Sequence, residues 1–138
     1  MNFIKHFTKG ISFLFFIVML TSCYDNSIYF NLENQSIKTC NGRELVVFYL
    51  KKKDDPFLYF YNLKLDKVGT NEFSLKEINR NYILEYKGKS VDVGDFKLSP
   101  NSKYEIVNHS SRDATDASIQ IETDSCGNVI FSNVTSCH

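Results

Sequence analysis

The chain reads as an all-β protein, one antiparallel β-sandwich behind an apolar N-terminal signal helix. Apolar residues recur with period two along most of its length, as half-buried strands require. Short clusters of Gly, Pro, Asn and Asp interrupt those runs and supply the turns. With 138 residues and 43% hydrophobic content there is enough apolar side chain for one core and no sign of a second domain. The boundaries drawn from this pattern are a leader over 1–22, a tether over 23–27 and one domain over 28–138.

The leader opens with Lys5, His6 and Lys9 and no acid, and continues into "GISFLFFIVML", apolar apart from Ser12. That order is a secretory signal, and the apolar run is short of the roughly 20 residues that span a bilayer. It ends in Leu20-Thr21-Ser22-Cys23: an aliphatic residue, two small residues, then cysteine. This motif resembles the lipobox of bacterial lipoproteins. The resemblance implies cleavage between Ser22 and Cys23, a diacylglycerol on the Cys23 sulfur and acylation of the new amino group. Each buried methylene adds about 0.8 kcal/mol, so two or more chains hold durably to a bilayer. Cleavage removes Lys5 and Lys9 and leaves a slight excess of acid, so lipid rather than a basic patch must do the holding. Tyr24 stands where some Gram-negative bacteria place an inner-membrane Asp, which points to the outer membrane. Only 24–27 separate the lipid from the first strand, so the domain rides close to the bilayer.

In the domain, Ile28, Phe30 and Leu32 alternate with polar residues as a first strand. "ELVVFYL" (44–50) is continuously apolar after Glu44 and rich in β-branched and aromatic residues, a central strand. "KKKDDP" (51–56) is a turn. "FLYFYNLKLD" follows, with Phe57, Tyr59, Tyr61, Leu63 and Leu65 on one face, and closes a hairpin with the preceding run. In "EFSLKEINRN", Ser74 and Glu77 form a capping box and Phe73 and Ile78 a hydrophobic staple, which predicts a helical turn within 73–81. A strand over 73–75 fits the same residues. "YILEYKGKSVDV" (82–93) is a further hairpin about Lys87-Gly88. "YEIV" and the alternating "ASIQIET" (117–123) are strands, "DSCGN" a turn and "VIFSNV" a last strand.

Between these runs stands Leu98-x-Pro100-x-Ser102-x-Tyr104. It resembles the L-x-P-x-[ST]-x-Y segment of fibronectin type III domains, members of the immunoglobulin-like sandwiches. The resemblance implies that Leu98 packs inside, that Pro100 stiffens a corner between sheets, and that the Tyr104 hydroxyl bonds to backbone a few residues upstream. It covers about 30 residues, through a strand over 104–108, a polar loop and a strand over 118–123. The chain departs from that family in having no Trp, and 82–98 is short for the usual middle strands.

With Cys23 lipidated, Cys40, Cys126 and Cys137 remain in an oxidising compartment. The short loop between Cys126 and Cys137 makes them the favoured disulfide, with Cys40 bonded to either, or no bond at all, as the open alternatives. No C-x-x-C, P-loop, G-x-S-x-G, dinucleotide fingerprint or H-E-x-x-H occurs, so the sequence predicts no metal, no cofactor and no enzyme. His109, Ser110 and Asp113 crowd one polar loop, whereas triads are assembled from distant segments. A formal net charge of zero argues against nucleic acid. Phe57, Tyr59 and Tyr61 are the candidate binding aromatics if their face is open; otherwise they fill a Trp-less core. The expectation is an envelope lipoprotein whose domain binds a protein or glycan partner. The alternative is an immunity or inhibitor lipoprotein that neutralises an exported toxin or enzyme.

Overall fold

A computed structural model describes residues 25–112 and 114–137. The leader, Ser22 and Cys23 lie outside the described residues. Those described form ten strands and no helix. One sheet joins β1 (Ile28–Asn31), β2 (Ser36–Thr39) and β5 (Glu72–Ser74) in the order β1-β2-β5. The other contains β3 (Val47–Lys52), β4 (Leu58–Leu63), β6 (Tyr82–Tyr86), β7 (Lys89–Val91), β8 (Lys103–Asn108), β9 (Ala117–Thr123) and β10 (Val129–Ser132), in the order β10-β9-β8-β3-β4-β6-β7. Every pairing is antiparallel.

The two sheets share one core. Ile28, Phe30, Ile37 and Phe73 from the small sheet meet Phe48, Leu50, Tyr61, Leu84, Ile106, Ile119 and Ile121 from the large one. Rings do the work a Trp does elsewhere. Phe48 stacks on Tyr61 at 4.8 Å, and Phe73 crosses from the facing sheet to meet Phe48 edge-on at 4.9 Å. Tyr82 keeps its polar tip satisfied while fully buried: its hydroxyl donates to Leu45 O at 2.6 Å and accepts from Thr70 N at 3.2 Å.

The structure decides between the two readings of 73–81. Ser74 lies in β5, and no helix follows it. Placing Phe73 in a strand buries its ring among Phe48, Tyr61 and Tyr82. Such burial is worth about 2–3 kcal/mol, more than the roughly 1 kcal/mol of a helix cap. The long alternating run also stops early. β4 ends at Leu63, Asp66 turns the chain at φ 67°, and Leu65 is left 91% exposed. Lys87 and Gly88 both take positive φ (54° and 70°), the two-residue geometry that matches strand twist between β6 and β7.

The disulfide joins Cys40 to Cys137, with Cα atoms 5.6 Å apart, and Cys126 is a free, exposed thiol. This corrects the favoured Cys126–Cys137 pairing. Cys126 belongs to the turn between β9 and β10. β10 then carries the chain away from that turn and delivers Cys137 beside the end of β2.

Candidate functional site

Strand register gives the domain two poles. Asn26, Cys40, Asn108 and the β8–β9 connection gather at one; Gln35, the β3–β4 turn, Tyr104 and the β9–β10 turn gather at the other. The first pole holds residues 25–27, which lead into β1. There the buried Asn26 side chain donates to Ser111 O (3.0 Å) and Thr115 O (3.3 Å) and accepts from Ser111 N (2.9 Å). Asn108 donates to Asn26 O at 2.8 Å. His109 lies in the same region and pairs with Asp116 through Nδ1. The Ser110 hydroxyl instead meets Asn108 Oδ1, Val46 N and Val47 O. Hence His109 and Ser110 are engaged separately, and Asp113 lies outside the described residues.

The far pole is built differently. A groove of about 430 Å³ opens there between 73–79 and 93–98. Tyr61 and Phe73 form its floor, Leu75 and Ile78 one wall, Phe96 and Leu98 the other. Lys76, Glu77 and Lys97 stand on its rim, and Lys76 and Lys97 make no ion pair among the described residues. The β9–β10 turn closes one end. Asp124 Oδ1 accepts from Cys126 N and Asn128 N, both at 2.8 Å, and its carboxyl is held below its ordinary value, first by the Asn128 side chain. Gly127 (φ +81°) lies so near the chain at Leu98 that a Cβ would stand 2.6 Å from Leu98 O, so only glycine fits.

Phe96 links this groove to an aromatic cluster. Its ring meets Tyr59 edge-on at 4.9 Å, Tyr59 stacks on Tyr86 at 4.3 Å, and Tyr86 meets Phe57 at 6.1 Å. Lys87 Nζ sits 4.6 Å over the Phe57 ring. The Tyr86 hydroxyl donates to Asp55 Oδ2 at 2.8 Å. Burial, then the bond to Tyr86, pushes the Tyr59 hydroxyl up to about 12. Asp55 is held low, first by Phe57 N and then by the Tyr86 hydroxyl.

The three sequence-chosen aromatics therefore separate. Tyr61 is core, only 3% exposed, Tyr59 is half-buried, and Phe57 is 44% exposed. They do share a face, and it is the inner one. Tyr86, Phe96 and Lys97 were not singled out by sequence, and Ile78 and Lys87 were read only as part of a helical staple and of a turn. The inward parity of Tyr82, Leu84 and Tyr86 was available to find the first of them; nothing local marked the irregular segment over 92–98. Pro100 is exposed, and Leu98 is half-buried against the core. Tyr104 is 3% exposed, and its hydroxyl accepts from Ser99 N at 2.8 Å, five residues upstream. Among the described residues, no three His, Cys, Asp or Glu side chains are grouped to hold a metal ion.

Comparison of the chain with protein-family models, curated proteins and solved structures finds no match.

Proposed function

We propose that this chain is a cell-envelope lipoprotein, anchored through acylated Cys23, whose immunoglobulin-like domain is a recognition module and not an enzyme. The anchor rests on the basic start, the apolar run and Leu20-Thr21-Ser22-Cys23. The immunoglobulin-like assignment is supported by strand order. β1, β2 and β5 correspond to strands A, B and E; β9, β8, β3 and β4 correspond to G, F, C and C′. The β6–β7 hairpin and β10 are then additions at the two edges of the larger sheet. The Tyr104–Ser99 bond at the start of the F-like strand supports the fibronectin type III variant of that fold. Fold alone names no activity, so the function rests on the site.

The observation that carries the recognition reading is the groove at the pole away from the tether. Its floor is apolar and aromatic, its rim holds two lysines with no ion pair among the described residues, and it lies at the pole opposite residues 25–27, which supports a partner-facing position. Recognition there is by side chains rather than by strand addition, because the free edge of β5 is blunted. Thr70 Oγ1 accepts from Glu72 N at 3.1 Å and donates to Glu72 O at 2.6 Å. The partner is a protein or glycan of the envelope, and the domain faces the periplasm or the cell surface.

The test is palmitate labelling and fractionation of wild type and Cys23→Ala, followed by capture of envelope components on the lipidated protein. Labelling and membrane residence should be lost with Cys23→Ala. Equal membrane association of the two proteins would refute the anchor. A captured component should be released by Ile78→Glu with Lys97→Glu.

A further inference from the structure

Residues 133–137 close one side of the sandwich with few attachments of their own. Val134 O accepts from Phe30 N at 3.0 Å, on the outer edge of β1. Asn133 N donates to Gln120 O at 3.1 Å and Asn133 Oδ1 accepts from Gln120 N at 2.7 Å, on β9. Within the segment only Val134 packs against the core, and only partly. The segment makes no ladder, since β10 ends at Ser132. What fixes its end is the Cys40–Cys137 bond, in which Cys137 is exposed and Cys40 half-buried.

The register of β1 gives this contact a consequence. Cys40 N donates to Ser27 O at 2.9 Å, and antiparallel pairs alternate, so the Phe30 amide points away from β2. Without the segment that amide belongs to an open strand edge directly after the tether.

We propose that the Cys40–Cys137 disulfide is a redox-releasable clasp, which holds residues 133–137 over the outer edge of β1 and frees them when it is reduced. The reductant is a dithiol, such as an envelope dithiol oxidoreductase. One of its thiolates attacks a clasp sulfur, the second resolves the mixed disulfide, and the S–S bond gives two thiols with uptake of two electrons and two protons while the dithiol leaves as a disulfide. The sandwich outlasts release, because the buried core cluster ends at Val129. The exposed Cys126 lies at the far pole, outside the exchange. The clasp rests on geometry alone and stands or falls independently of the anchor and the groove.

The test is hydrogen–deuterium exchange on the full mature chain in detergent, oxidised and after treatment with dithiothreitol. At labelling times too short for global opening, reduction should speed exchange at least about tenfold in peptides covering Phe30 and 133–137, while β3 and β8 stay protected. Cys137→Ser should show that pattern without reductant and respond no further to it. Unchanged protection at Phe30 after complete reduction would overturn the clasp. So would equal loss of protection in all strands at those short labelling times, which would make release of the segment inseparable from unfolding of the domain.

Discussion

The two poles of this domain hold themselves together by different means. The pole that holds residues 25–27 is fastened by a cross-link and by amide side chains bonded to backbone: Cys40–Cys137, Asn26 with Ser111 and Thr115, Asn108 with Asn26. The far pole is fastened by stacked rings and one carboxylate-centred turn, and it leaves an apolar groove open between irregular segments. Cross-links and saturated polar networks resist rearrangement. Rings around a groove present apolar area and adapt by small shifts. The division suits the proposed reading, in which the molecule is held at one end and used at the other.

Removing the cross-link should have the largest effect. A bond enclosing 97 residues of separation stabilises by about 4.7 kcal/mol in the chain-entropy account. Cys40→Ala with Cys137→Ala should lower the urea-derived stability by about 4–5 kcal/mol, while Cys126→Ser at the other pole stays within about 0.5 kcal/mol. Equal effects would erase the contrast. Asn26→Ala comes next, at about 2 kcal/mol, because it removes a buried side chain and its three bonds to the partly buried backbone of Ser111 and Thr115. Tyr104→Phe should cost about 1 kcal/mol by orphaning the Ser99 amide.

The smallest effect sharpens the comparison through pH. Asp124 has a lowered folded value, so its contribution is complete above the ordinary carboxylate range near pH 4 and fades as acid protonates it. The amide resonances of Cys126 and Asn128 should therefore titrate below about pH 4 in NMR spectra. The Ser111 amide, whose partner is a carboxamide, should not follow them. Asp124→Asn should abolish the titration.

How far the sequence disclosed this arrangement depends on the range of the forces involved. Alternation in 117–123 and 28–32 marked β9 and β1 because burial on one sheet face is written every second residue. β2 was missed: four residues with one buried aliphatic, Ile37, carry too little pattern. Cys40 and Cys137 are distant in sequence and meet only through topology, so the nearer pair looked better than it was. The aromatic stripe of β4 was legible, but whether its face is core or surface is decided by what the other sheet brings, here Phe73. The groove was illegible, because its walls are irregular segments whose approach depends on contacts such as Gly127 against Leu98.

The central claim, that recognition belongs to the pole opposite the tether, is tested most directly by capture from solubilised envelopes. Three lipidated proteins are compared: wild type, Ile78→Glu with Lys97→Glu in the groove, and Arg112→Glu at the tethered pole. Wild type and Arg112→Glu should retain the same bound component, and the groove variant should lose at least about nine-tenths of it, an effect near 1.4 kcal/mol. Retention by the groove variant together with loss from Arg112→Glu would contradict the account.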